Sequence, residues 1–152
     1  MGDMKISVKT DNTPQAKREL ESKLRKGLKA AGIQAASAAR EELQKSPKRI
    51  DTGLLRNSIT HAMDGQSPAI SSYSAKKASK YTGKIPDPGT YTGKTPKEPE
   101  GKAAVYIGTN VEYAVYVHDG TDRMAANRFL KNAIENNSNE LMEIIKKQLQ
   151  SD

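Results

Sequence analysis

The pattern of apolar and polar positions predicts helices and strands around one long irregular segment. Ile6 and Val8 alternate with polar residues over Met4–Thr10, which is typical of a short half-buried strand. From Thr13 to Gln44, leucine and alanine recur at steps of three and four residues, which predicts a long amphipathic helix. Thr13-Pro14 supplies an N-cap and a proline at the first helical position, so this helix should begin there.

The length of this helix is itself informative. About thirty residues at ~1.5 Å each span roughly 45 Å, which exceeds the diameter of a small domain. We therefore expect part of the helix to bend or to overhang, with Gly27 and Gly32 as the candidate bend points. The alanine-rich part, Ala30–Ala39, offers a smooth face that can pack closely, either within the chain or against another subunit.

Three further elements follow from the pattern. Leu54–Met63 is predicted to enter the sheet as a strand. Val105–Ile107, closed by a glycine turn and followed by Val111–Val117, predicts an antiparallel hairpin because both runs are rich in β-branched and aromatic residues. The apolar period then changes to about 3.6 residues, which predicts a last helix over about Ala125–Gln150. Short polar side chains at Asn136–Asn139 should weaken or break its middle.

These elements predict an α+β fold in a single domain spanning residues 1–152. We expect a small, mainly antiparallel sheet of about four strands, with the long N-terminal helix and the C-terminal helix covering one face. Residues 65–102 are rich in serine, lysine, glycine and proline, and predict an inserted, long, mobile basic loop. An imperfect ten-residue repeat, Tyr81–Pro86 and Tyr91–Pro96, lies within it.

Two stretches carry short motifs in a characteristic order. Asp51–Ile59 has the pattern D-T-G-x-L-R-x-S-I. Val105–Ile134 contains a glycine-ended strand, then Tyr113-Ala114, a Gly120-Thr121 turn, and Phe129-Leu130 at the head of the last helix. In order and spacing, residues 45–150 resemble the head–tail joining or tail-completion proteins of tailed bacteriophages, a family of small minor tail components.

The chain also departs from the family's pattern. Arg128 stands where the family usually has a proline before phenylalanine, and the acidic residue usual before the glycine-threonine pair falls at His118 or Asp119. Residues 65–102 form a longer insertion than most members carry. These departures bear on binding details more than on the fold.

The resemblance implies a virion structural protein, assembled in the cytoplasm of a bacterial host and located in the tail or at the head–tail interface. Such proteins form a ring, commonly of six copies, between the head connector and the tail tube, or cap the tube so that the head can dock. The expected partners are further copies of the chain and the connector and tail-tube proteins, and no enzymatic activity is expected.

Within the inserted loop, four side chains are the candidates for partner contacts, although the resemblance supplies no position-specific match for them. They are Tyr81, Lys84, Tyr91 and Lys94. Aromatic anchors in a loop that orders on binding are common at assembly interfaces. A plain mobile loop without such contacts is the alternative.

The formal net charge of +7 is unevenly placed. Residues 1–60 hold thirteen basic and seven acidic side chains, residues 65–102 hold seven and three, and residues 103–152 hold five and seven. A basic front half could meet nucleic acid such as DNA, or acidic protein surfaces, and a basic nucleic-acid-binding module is the alternative function. A solvated basic face is the simpler explanation, because no recognised nucleic-acid motif accompanies the charge.

Composition narrows the chemistry further. Cysteine is absent, which excludes disulfides and thiolate chemistry and suits a reducing cytoplasm. No stretch approaches the ~20 apolar residues of a membrane span, and Met1–Thr10 lacks the apolar region of a signal peptide. We therefore expect a soluble protein that is not exported and does not enter a membrane.

Three local motifs imitate active or binding sites. Asp51-Thr52-Gly53 is the triplet of aspartic proteases, but those enzymes need two symmetric copies and this chain has one, which favours a turn. Gly93-Lys94-Thr95 imitates a phosphate-binding loop, but Pro88 stands in place of its first glycine. His61 and His118 have no metal-ligand spacing. We expect no catalytic residue, cofactor, metal or small-molecule substrate.

Overall fold

The computed structural model describes short parts of the inserted segment and most of the chain around it. The described residues are 13–45, 53–64, 72–75, 89–92, 99, 101, 103–109 and 111–151. The strand predicted over Met4–Thr10 lies outside these ranges. The helices and strands of the described ranges are α1 (Thr13–Glu42), α2 (Leu54–Ser58), β1 (Thr60–Met63), β2 (Ser72–Ala75), β3 (Gly89–Thr92), β4 (Val105–Gly108), α3 (Ala114–Asp119), α4 (Phe129–Glu135) and α5 (Ser138–Leu149).

The long helix α1 is confirmed, and it lies at the centre of the fold. It packs on β1 and β4 with one side and on α4 and α5 with another. Its second half supplies most of the small buried side chains, including Ala35, Ala36 and Ala39. Its first ten residues are exposed, as expected for a helix longer than the body it belongs to. The overhang is therefore confirmed.

The two glycines of α1 mark close contacts with other elements. A Cβ atom at Gly32 would stand 2.6 Å from Val105 Cγ2, and one at Gly27 would stand 3.1 Å from the Cα of Ile145. Alanine is the better helix former by about 1 kcal/mol, so glycine is unfavourable for α1 taken alone. Close packing against the sheet and α5 explains both glycines without invoking a bend.

The strands form two separate antiparallel pairs. In the first, β1 pairs with β4, and Thr60 lies opposite Gly108. In the second, β2 pairs with β3, and Ser72 lies opposite Thr92. The α+β class is thus confirmed. A single sheet of about four strands is not confirmed, because each pair described here has two strands.

The hairpin predicted between Val105–Ile107 and Val111–Val117 is wrong. The first run is strand β4, but its partner is β1, and the second run turns into the short helix α3. Ala114 and Val117 are buried, while the intervening Val115 and Tyr116 are exposed, a spacing of three that only a helix produces. Packing of these two side chains outweighs the β propensity of the run.

The strand predicted over Leu54–Met63 is confirmed only in its second half. Residues 54–58 form helix α2, in which Leu54, Leu55 and Ser58 are buried. Gly53 adopts a φ of 79° just before the helix and accepts a hydrogen bond of 2.9 Å from the amide of Asn57. The chain becomes extended at Ile59 and continues as β1.

The C-terminal helix is divided as predicted. Helix α4 ends at Glu135, α5 begins at Ser138, and the asparagines between them interrupt the helix. The helix starts at Phe129 rather than at Ala125, because Asn127 is buried in a non-helical segment. The sequence predicts a C-terminal helix that covers the sheet. In the structure, α4 and α5 pack mainly on α1, which lies between them and the sheet.

Candidate assembly surface

The four side chains predicted to contact partners are only partly covered by the structure. Tyr81, Lys84 and Lys94 lie outside the described residues. Tyr91 lies in β3, where its register partner across the pair is Tyr73 of β2. Residues 65–102 were expected to form a loop throughout, and the pair β2–β3 within it is a correction.

The placement of β2 connects this inserted segment to the body. Strand β2 runs beside α2, so the β2–β3 pair adjoins the helix that carries the L-R-x-S part of the first motif. The repeat at Tyr91-Thr92 therefore contributes its first residues to a strand rather than to a loop. Its first copy, Tyr81–Pro86, falls outside the described ranges.

Helix α3 exposes a small apolar surface, which we call the α3 patch. It consists of Val115 and Tyr116, which are 54% and 59% exposed, and Tyr113, which is 36% exposed at the helix start. The opposite side of α3 is held in the core by Ala114 and Val117. The patch is consequently presented on a firmly anchored helix, and tyrosine is among the residues enriched at protein interfaces.

A second apolar surface lies along α1 and α5. We call residues 13–30 of α1, together with α5, the helical arm. The two helices run antiparallel, because Gln34 donates to Glu140 whereas Lys23, earlier in α1, donates to the carbonyl of Ser151. No residue of α5 is buried, although its sequence is amphipathic. The arm therefore leaves apolar surface in contact with water.

The exposed side chains of the arm include large ones. Leu20 on α1 is 56% exposed, and Met142 on α5 is 53% exposed. The apolar stripe of α5 is only half-buried against α1, and consists of Leu141, Ile144, Ile145 and Leu149. An amphipathic helix gains stability by burying such a stripe, so the part of this stripe that α1 leaves exposed is surface on which a further element can pack.

A groove of about 290 Å³ opens between the arm and the sheet. Leu24 and Leu28 of α1 contribute apolar lining, and Asp64 and Ala104 line the opposite side. Arg25 closes one end by donating two hydrogen bonds, of 3.1 and 3.2 Å, to the backbone carbonyl of Asp64. Its described lining residues include no nucleophile paired with a base.

Basic side chains gather where α1, α2 and β1 meet. Arg40 donates to the carbonyl of Ile59, and its burial, followed by the nearby charge of Arg56, lowers the pKa of Arg40. Burial, followed by the charges of Lys29 and Arg40, also lowers the pKa of His61. Both causes disfavour the protonated form of His61 between α1 and the sheet.

The two motif stretches contact each other directly. Ser58, from the D-T-G-x-L-R-x-S-I run, is fully buried and shares a hydrogen bond of 2.5 Å with the hydroxyl of Thr109, which follows β4. Thr109 in turn accepts a hydrogen bond of 3.1 Å from the amide of Val111. These hydroxyls join α2 to the turn before α3, a role that the sequence pattern did not single out.

His118 has a structural role. Its ring meets Phe129 edge-on at 5.4 Å, and its Nε2 accepts a hydrogen bond of 3.4 Å from the amide of Lys131. Nδ1 can then donate to the carboxylate of Asp119 at 2.8 Å. Within the described ranges, no group of three or more histidine, aspartate or glutamate side chains could hold a metal ion.

Comparison with protein-family models, with curated proteins and with solved structures gives no match for this chain. The helices of the described ranges include none that combines the length and the apolar character required to cross a membrane.

Proposed function

We propose that this protein is a structural component of a tailed bacteriophage, of the tail-completion or head–tail joining type. The observation that carries the proposal is the exposed apolar surface of the α3 patch and the helical arm. Helix α3 is held to the body by its buried Ala114 and Val117, and α5 packs along α1. Subunits that bury one another's exposed apolar surfaces in an assembly have this property.

Contact between the two motif stretches supports the resemblance. The stretches are separated by the whole inserted segment in sequence, yet Ser58 and Thr109 share a hydrogen bond. The motif residues Leu55 and Ile59 are also fully or almost fully buried, which gives the pattern a structural reason.

The finer parts of the proposal concern how copies meet. We infer a ring of copies that links the head connector to the tail tube, with Tyr81, Lys84, Tyr91 and Lys94 contacting neighbours. We also infer a larger sheet of about four strands. Among the described strands, β1 and β4 each have one unpaired edge, which a further strand of this chain or of a neighbouring copy would extend.

The first experiment tests association through the α3 patch. Light scattering would follow the protein alone and with the tail-tube or connector protein, comparing the wild type with a Val115→Glu, Tyr116→Glu variant. Both positions are exposed, so the variant should keep its helical circular dichroism while association falls at least about tenfold. Arg123→Glu is the matched control, since it also changes the net charge by −2 at an exposed position beyond α3.

The proposal is wrong if the wild type associates neither with itself nor with connector or tail-tube protein at any accessible concentration. The inserted segment is tested separately by deleting residues 70–100 and scoring the joining of heads to tails. Normal joining without those residues would remove the role of the four loop side chains while leaving the assembly function in place.

A basic nucleic-acid-binding module is the second candidate, and the basic side chains near Arg40 are the observation that favours it. It predicts binding to duplex DNA that weakens steeply as salt is raised. The assembly function predicts instead a specific protein partner and little affinity for DNA at physiological salt. Measuring DNA binding between about 50 and 200 mM salt distinguishes the two.

A further inference from the structure

The α3 patch has an acidic side chain at each end. Glu112 lies three residues before Val115 and four before Tyr116. Asp119, the last residue of α3, lies four and three residues beyond the same two side chains. The residue before α3 already has helical backbone angles, so this spacing places both exposed carboxylates beside the patch. Since residues 111–120 contain no lysine or arginine, the patch is an apolar surface with an acidic rim.

The helical arm combines an apolar stripe with the opposite charge. Three leucines recur every four residues along α1, namely Leu20, Leu24 and Leu28. The first of them is largely exposed, and the other two line the groove between the arm and the sheet. Residues 13–30 hold six basic and two acidic side chains, and Lys17 and Arg18 are exposed just before the stripe. The stripe therefore lies in basic surroundings.

The groove beside this stripe suits a tyrosine side chain. Its volume of about 290 Å³ is at the lower limit of the ~300–1,000 Å³ typical of ligand pockets, which favours a side chain over a whole ligand. Leu28 and Met63 supply apolar lining, and Glu21 and Asp64 supply carboxylates. A tyrosine combines an apolar ring with a hydroxyl group that can donate to a carboxylate. Tyr116 of the α3 patch is such a side chain, and 59% of its surface is exposed.

The patch and the groove lie towards opposite ends of α1. Asn127 ties α3 to the C-terminal end of α1, because its side chain donates to the carbonyl of Glu42 and its backbone amide donates to the carbonyl of Val117. Glu42 lies fourteen residues beyond Leu28 of the groove, which is about 21 Å along the helix at ~1.5 Å per residue. A molecule therefore cannot place its own α3 patch in its own groove. Complementary surfaces at opposite ends of a subunit produce head-to-tail contacts between copies.

We propose that the α3 patch of one copy docks on the helical arm of a second copy, with Tyr116 in the groove. The acidic rim of the patch then faces the basic surroundings of the stripe, and such charge complementarity steers the encounter and fixes its orientation. Because the two surfaces differ, every copy uses both of them, and repeated contacts close a ring or extend a filament. The contact rests on the proposed assembly function, and its partner is another copy of this chain.

Charge reversal at each surface tests the contact. The patch variant carries Glu112→Lys with Asp119→Lys, and the arm variant carries Lys17→Glu with Arg18→Glu. All four positions are exposed, and the new charges suit the helix ends at which they lie. Each variant alone opposes like charges across the contact, so self-association measured by light scattering should fall at least about tenfold.

An equal mixture of the two variants should restore association, because each patch then meets an arm of opposite charge. Glu41→Lys with Glu135→Lys is the matched control for the patch variant, since it adds the same charge at exposed positions outside both surfaces. This control should associate as the wild type does. A mixture that associates no better than its separate components would overturn the contact.

Introduced cysteines then locate the contact, because the chain has no cysteine of its own. Val115→Cys keeps Tyr116 in place, and Ala103→Cys lies in the lining of the groove. Under oxidising conditions a mixture of these two variants should form a disulfide between the two chains. Asn139→Cys, exposed on α5, is the control and should form little disulfide with Ala103→Cys.

The outcomes separate this contact from the assembly function as a whole. Disulfides that join two Val115→Cys chains, rather than Val115→Cys to Ala103→Cys, would mean that α3 patches meet each other, and would overturn the head-to-tail contact. Wild-type protein that binds only connector or tail-tube protein would also overturn it, while the assembly function would stand. Wild-type protein that associates with none of these would overturn both.

Discussion

At the scale of single residues, the burial of His61 makes the stability of the protein depend on pH. It lies between α1 and the sheet with 6% of its surface exposed, and its Cβ atom approaches the Gly32 position closely. Its pKa is lowered by burial and then by Lys29 and Arg40. Below the ordinary histidine pKa of about 6.5, His61 is therefore protonated more readily in the unfolded state than in the folded state. The free energy of unfolding consequently falls as the pH falls.

We expect Tm to be steady above about pH 6.5 and to decline as the pH falls from there through the lowered pKa of His61. Thermal unfolding between pH 7.5 and 5 would measure the slope, in a range where most carboxylates stay ionised. His61→Gln should flatten it, whereas His118→Gln, which removes the chain's other histidine, should leave it in place. If the Tm of His61→Gln depends on pH as steeply as that of the wild type, other titratable groups cause the dependence.

The polar side chains that organise the core could not be recognised from the sequence. Asn127 is buried and donates a hydrogen bond of 3.1 Å to the carbonyl of Glu42 at the end of α1. Its backbone amide donates to the carbonyl of Val117 at 2.9 Å. Asparagine in a polar stretch predicts a loop, and only the fold shows that this one ties α1 to α3.

At the scale of elements, Gly32 sets how closely α1 approaches the sheet. A Cβ atom there would stand 2.6 Å from Val105 Cγ2, and valine has little χ1 freedom with which to move away. We expect Gly32→Ala to destabilise the protein, since overpacking costs about 1–3 kcal/mol and the gain in helix propensity returns only about 1 kcal/mol. Urea unfolding monitored by circular dichroism would measure the difference.

A double-mutant cycle isolates the cause. In a Val105→Ala background the colliding methyl group is gone, so Gly32→Ala should cost less there than in the wild type. The same cost in both backgrounds would mean that the alanine disturbs something other than Val105. That outcome would indicate a clash with His61, whose Cβ atom lies 3.1 Å from the same position.

Elements with long, periodic patterns were predictable, and short ones were not. Helix α1 and the interruption at Asn136–Asn137 follow from sequence periodicity and from the helix-weakening asparagines. Helices α2 and α3 have only five and six residues, too few to show a helical period, and the valines and tyrosine of α3 favour a strand. Their helical state depends on burying Leu55 and Val117 in a core assembled from distant parts of the chain.

At the scale of the whole molecule, one helix holds two layers together and extends beyond both. The second half of α1 is covered by the sheet on one side and by α4 and α5 on another. Residues 13–22 are exposed, so their stability comes from helical hydrogen bonds and from little packing. Stability should therefore decrease along α1 from its C-terminal half towards its N-terminus.

Hydrogen exchange measured by mass spectrometry tests this gradient and its link to assembly. In the free protein, amides around Ala35–Ala39 should exchange only through global unfolding, while those of residues 16–22 should exchange orders of magnitude faster. On association, protection should rise in the helical arm and in the α3 patch, because burial of their apolar surface would suppress local opening. Protection that rises only at β2 and β3 would place the interface on the inserted segment instead, and the arm would then be a projection with no role in assembly.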